Sequence, residues 1–235
     1  PFIRGAHKSV PMEDLVAEAE SLAQNGVKEL IIIAQDTTYY GLDLYRRRAL
    51  AELLQKLSEV DGIEWIRILY CYPECFTDEL IEVIAQEDKI CNYIDLPLQH
   101  ADGEILKKMN RRGSREELTE LIKTLRVKIP DVILRTTFIT GFPGESEDQF
   151  ECLAEFIKEN EFDRLGCFAY SPEEGTIAAK MDGQLDDEEK NHRAEIIMQQ
   201  QYEIFSRKQE SRVGTEMTVI VDGFDEDTLL YMGRT

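Results

Sequence analysis

The stretch Leu134–Glu145, reading Leu-Arg-Thr-Thr-Phe-Ile-Thr-Gly-Phe-Pro-Gly-Glu, constrains the chain most, because it runs from a strand pattern directly into a turn and then a helix. Leu134, Thr136 and Phe138 alternate with Arg135, Thr137 and Ile139 at the period of a strand, and Gly141, Pro143 and Gly144 end it. Ser146 with Gln149 three residues on is a capping box, and Phe150, Leu153, Ala154 and Ile157 then keep helical spacing on one face. The glycines therefore lie between a strand's C-terminal end and a helix N-terminus. This is the place where α/β folds bind ligands and where free backbone N–H groups favour anions. The same tetrapeptide, Gly-Phe-Pro-Gly, also reads as a plain strand-to-helix turn.

The plan repeats along the chain. Pro1–Val10 reads as loop, and Pro11 opens a helix with an apolar stripe up to Gly26. Strand patterns follow at Val27–Ala34, Trp65–Tyr70 and Cys91–Leu98, then the organising strand, then Arg164–Tyr170. Val27–Ala34 is a near-continuous apolar run, as a strand buried on both faces requires. Helices interleave: Leu50–Leu57, one capped by Thr77, a short one through Ile105 and Met109, one with a capping box at Ser114 and Glu117, and a long one over residues 186–212. Such alternation demands a parallel sheet with right-handed crossovers. Five strands fall short of the eight of a closed barrel, and no Gly-x-Gly-x-x-Gly follows the first strand. The expectation is an incomplete, open barrel of parallel βα units over residues 1–212. Residues 213–235 begin a further β unit, with Glu216–Asp222 alternating like a strand.

Composition narrows the function classes. No run approaches the length of a membrane span, and five irregularly spaced cysteines suit reduced thiols of a cytoplasmic protein. With 27 basic against 47 acidic residues, the formal net charge is −20. That field disfavours nucleic acid and attracts basic partners.

A parallel sheet gathers Gln35, Asp36, Tyr72, Glu74, Gln99, His100, Arg135, Thr137, Tyr170 and the Gly141–Gly144 loop on one rim. These supply an anion partner, carboxylates, amides and an aromatic face, a set suited to a zwitterionic, adenine-bearing ligand. No serine elbow or histidine pair at metal spacing occurs, and the three histidines are isolated. Cys71 and Cys75 open a Cys-x-x-x-Cys spacing whose third thiolate would stand at position 78, which is Asp78; Cys71 therefore reads as a strand residue and Cys75 as a loop thiol, and no metal site is expected.

With Ala34-Gln-Asp-Thr-Thr-Tyr-Tyr-Gly41, Leu96-Pro-Leu-Gln-His100, Gly141-Phe-Pro-Gly-Glu145, Phe168-Ala-Tyr-Ser-Pro-Glu-Glu-Gly-Thr176 and the opening Pro1–Ser9 together, the chain resembles the central domain of radical S-adenosylmethionine methylthiotransferases. Gln-Asp-Thr-Thr and Leu-Gln-His resemble the branch that modifies an aspartate of small-subunit ribosomal protein twelve. The tRNA-modifying branch tends to have Gln-Asn and Leu-Gln-Ser. The resemblance implies S-adenosylmethionine near Gln35, Asp36, Gln99, Arg135, Thr137, Gly141, Gly144, Phe168 and Tyr170. It also implies two [4Fe–4S] clusters and an electron donor in the full-length family, and a C-terminal TRAM domain of which residues 213–235 would be the start. The family's Cys-x-x-x-Cys-x-x-Cys loop is absent here, so no cluster is expected on this chain. The implied partner is a basic ribosomal protein. Three readings stand against one another: the aspartate branch, the tRNA branch, and a non-catalytic acidic docking domain. A metal-free barrel lyase would need a Schiff-base lysine at a strand end, and none is there.

Overall fold

The computed structural model describes residues 5–235, so Pro1–Arg4 of the opening stretch lie outside the described residues. Five strands form one parallel sheet: β1 (Glu29–Ile32), β2 (Trp65–Ile68), β3 (Ile90–Gln99), β4 (Ile133–Thr140) and β5 (Arg164–Ala169). Their spatial order is their chain order. A doubly wound sheet reverses direction at a switch point; an unreversed order with every crossover of one hand rolls the sheet into a barrel segment.

Helices α1 (Met12–Gln24), α2 (Leu50–Ser58), α3 (Asp78–Gln86), α4 (Gly103–Lys108), α5 (Arg115–Lys128), α6 (Glu147–Asn160) and α7 (Asp187–Glu210) connect and cover the strands. Their starts obey local chemistry. Thr77 Oγ1 accepts from the Leu80 N–H, and Ser114 with Glu117 and Ser146 with Gln149 both close reciprocal capping boxes.

Burial alternates cleanly along β4. Leu134, Thr136, Phe138 and Thr140 are buried against helices, while Ile133, Arg135, Thr137 and Ile139 face the half-open inner side. Phe138 meets Phe156 and Phe162 edge-on, with centroids 6.3 and 5.8 Å apart. Burying each such ring stabilises the fold by roughly 2–3 kcal/mol.

Three expectations are corrected. The Val27–Ala34 run is not buried on both faces: β1 is an edge strand, Leu30 is buried, and Ile31 and Ile33 are 48% and 61% exposed because the sheet's inner face is open. Cys71 lies past the end of β2 rather than in it, although it is buried. Residues after Gly214 form a two-stranded antiparallel hairpin, β6 (Ile220–Asp225) and β7 (Leu230–Arg234), rather than one strand. Its turn is held by Asp225 Oδ1, which accepts from the Asp227 and Thr228 N–H groups.

The hairpin touches the sheet's N-terminal end, where the buried Glu29 pairs with Arg67 at 2.8 Å and with Arg234 at 2.5 Å. No described helix is long and apolar enough to cross a membrane.

Candidate functional site

The inner face is polar at its centre. Asp95 of β3 is 1% exposed, and its Oδ1 accepts from Arg135 Nη1 at 3.0 Å while Oδ2 accepts from the Tyr70 N–H at 3.0 Å. Asp95 thus ties the end of β2 to β4. Arg135 stands third along β4, in register with Asp95 and with Arg164, the first residue of β5. It therefore lies on the inner face and not at the C-terminal rim where its sequence position had suggested it. Beside it, Thr137 and Ile139 share that face with Phe168, which is 61% exposed.

The rim holds a separate cleft of about 960 Å³, lined by Gln35, Asp36, Tyr39, Tyr70 and Tyr72 among others. Gln99, Arg135 and Tyr170 do not line this cleft. Within the cleft, Thr38 Oγ1 donates to the Asp36 carboxylate, and the Tyr72 N–H donates to Thr38 Oγ1 at 3.3 Å. Gln99 ends β3 with φ 71°, where the register against β4 shifts.

The Gly141–Gly144 loop differs from expectation in one respect: two of its three N–H groups, those of Gly141 and Gly144, are occupied, and that of Phe142 has no partner among the described residues. Gly141 N–H donates to Glu145 Oε1 at 3.0 Å, Gly144 N–H to the Gly183 carbonyl at 2.8 Å, and Glu145 N–H to the Phe142 carbonyl at 2.9 Å. The capping box takes the Ser146 and Gln149 N–H groups. A Cβ on Gly141 would come 2.8 Å from Lys190 Cβ, so that glycine admits α7 rather than a ligand. These bonds make the loop a rigid wall beside the site.

What makes it rigid is Glu145, whose carboxylate is fully buried. Arg193 Nη1 of α7 donates to its Oε1 at 2.8 Å, and His100 Nε2 lies 3.2 Å from its Oε2. The Asp102 N–H donates to His100 Nδ1 at 3.0 Å, which leaves the ring proton on Nε2, facing Glu145. Burial pushes the Glu145 carboxyl up, but the His100, Arg193 and Gly141 donors outweigh it and hold it below the ordinary glutamate value. His100 is thus a buried clamp and not a rim group. Tyr170 packs its ring 5.2 Å from Phe142, and its buried hydroxyl has no partner among the described residues.

The cysteines do not suit an iron–sulfur cluster. Cys71, Cys75, Cys91, Cys152 and Cys167 stand on separate elements or turns, and no group of three metal-ligating side chains occurs among the described residues. Burial raises the thiols of Cys71, Cys75 and Cys91, and pushes Cys167 up to about 12.

A family model described as the radical SAM superfamily matches residues 2–157. The chain belongs to the radical SAM superfamily. Over all 235 residues it is 53% identical to the ribosomal protein uS12 methylthiotransferase RimO of Lachnoclostridium phytofermentans, and 48% identical to that of Clostridioides difficile. In both cases it spans 53% of the relative, so this radical SAM chain covers about half the length of the curated proteins it matches. Among solved structures, it is similar to Escherichia coli coproporphyrinogen III oxidase HemN, with TM-score 0.58 and 18% identity over 87% of this chain and 48% of that one. Methylornithine synthase PylB follows with TM-score 0.55 and 17% identity, over 84% and 56%. These distant likenesses agree with the barrel-type fold.

Proposed function

We propose that this chain is the S-adenosylmethionine-binding part of a methylthiotransferase of the RimO type, which places a methylthio group on the β-carbon of an aspartate in ribosomal protein uS12. The observation that carries this reading is the 53% identity sustained over every residue to a protein of that name. The charge supports it independently. An excess of 20 acidic residues steers a Lys- and Arg-rich ribosomal protein inward and opposes a polyphosphate such as tRNA. A ribosomal substrate also implies the cytoplasm.

When bound, S-adenosylmethionine supplies the methyl group and the means of breaking an unactivated C–H bond. The chain's own residues suit its binding. Arg135 gives one guanidinium nitrogen to Asp95, and its other nitrogens, without hydrogen-bond partners among the described residues, would take a carboxylate. Phe168, with Ile139 and Thr137, offers an apolar face for a purine, and Gln35 and Asp36 would take ammonium or hydroxyl groups. Gln99 and Tyr170 would close the site from the β3 and β5 ends, with Gly141 and Gly144 as its wall. Under this reading the iron–sulfur chemistry does not rest on these five cysteines, and its electron donor is a partner of the full-length protein.

The full-length protein, reconstituted anaerobically, should add a methylthio mass to the uS12 aspartate in isolated uS12 or in the small subunit. Mass spectrometry with bulk tRNA as the parallel substrate decides the matter: a gain confined to tRNA nucleosides would establish the other branch.

A further inference from the structure

On a chain this acidic, unpaired cations at the rim need an explanation. From the last turn of α4 toward α5 the sequence reads Lys107-Lys108-Met-Asn-Arg111-Arg112, and none of those four cations forms an ion pair among the described residues. The next cation does: Arg115 pairs with Glu155 at 3.4 Å and Glu159 at 2.8 Å. The segment follows β3 and lies at the same rim as the candidate site, since Lys108 Nζ reaches the Gly144 carbonyl at 3.4 Å.

Arg111 is held there more firmly than its neighbours. Its N–H donates to the Leu106 carbonyl at 2.8 Å, Asn110 and Gly113 on either side take left-handed conformations, and its guanidinium lies 4.3 Å over the Tyr72 ring. Tyr72 in turn lines the cleft of Gln35 and Asp36. A guanidinium stacked on an aromatic face keeps its edge N–H groups free in one plane, the arrangement that takes a carboxylate in two parallel hydrogen bonds.

We propose that Arg111, positioned by Tyr72, is the residue that recognises the side-chain carboxylate of the substrate aspartate. This rests on the aspartate methylthiotransferase reading above and deepens it. The electrostatic argument is specific: the acidic surface draws a basic protein in but repels the one acidic side chain that must react, so a fixed local cation is required to hold it. Lys108, bonded to the Gly144 carbonyl, and Arg112 add to the positive field of this segment. The site distinguishes aspartate from asparagine, because an amide presents only one acceptor oxygen and no charge.

The test compares full-length wild type with Arg111→Gln and Arg111→Lys. It measures competition by uS12 and by uS12 with its target aspartate changed to asparagine, alongside S-adenosylmethionine affinity and a thermal melt. Wild type should bind the aspartate form roughly tenfold or more better than the asparagine form, the worth of a charge-assisted pair. Arg111→Gln should abolish that preference with S-adenosylmethionine affinity unchanged, and Arg111→Lys should retain part of it. An unaltered preference in folded Arg111→Gln overturns the proposal, as does an equal loss of S-adenosylmethionine affinity, which would put the cofactor carboxylate there instead. If wild type leaves uS12 unmodified, the proposed reaction and this role fall together; if it modifies uS12 and the preference is unaltered, only the role falls.

Discussion

Removing one partner of a buried ion pair costs about 3–5 kcal/mol, because the other charge is left without solvent or counter-charge. Glu145 is only partly in that position: the Gly141 N–H and one Arg193 nitrogen depend on it, while Arg193 also pairs with Glu147 at 2.9 Å and Glu189 at 2.6 Å. Glu145→Ala should destabilise the chain measurably in urea or thermal unfolding, by less than the roughly 3–5 kcal/mol of a charge left wholly unpaired. The pH dependence has a definite sign. The folded-state carboxyl titrates below its ordinary value, so its stabilisation is complete above the ordinary glutamate value of about 4.3 and is lost as pH falls through the folded-state value. Urea midpoints measured from neutral pH into acid should converge for wild type and Glu145→Ala; a constant gap would refute the clamp. Glu145 stood in the sequence as the last letter of a turn. Its partners lie 45 residues upstream and 48 downstream, and nothing local marks His100 or Arg193 as theirs.

Strands and caps were legible because their causes are local: period, capping-box spacing and turn residues sit within a few positions of one another. The occupied N–H groups of the Gly141–Gly144 loop were not, because Gly183 and the α7 docking that fill the space come from far along the chain. The same holds for Asp95, whose carboxylate inside an apolar strand was the one available sign of a buried partner. The loop's tightness can be measured by substitution. Gly141 has φ 70°, and an added Cβ would meet Lys190, whereas Gly175 has φ 82° and open space around it. Gly175→Ala should therefore show only the conformational cost of about 1–2 kcal/mol. Gly141→Ala should exceed it clearly, since helix α7 must move; equal melting shifts for the two would show that the close approach is unimportant.

Over the whole molecule, the unreversed strand order made the barrel-type fold readable from βα alternation alone, while the separate cleft and inner-face site depended on how far the sheet rolls. Among the described residues that same sheet ends at β1, whose outer backbone edge pairs with no described strand and lies beside the exposed Ile31 and Ile33. An apolar edge strand is a template for pairing with another copy, and like charge is the force that opposes it. With a formal charge of −20, two copies repel strongly at low ionic strength, but the Debye length shrinks to about 3 Å near 1 M salt. Light scattering on this 235-residue chain should therefore report growing particle mass as salt is added, and Ile33→Lys should suppress the growth. Colloidal behaviour would thus be set by one strand, and ionic strength during purification would decide whether the chain stays dispersed.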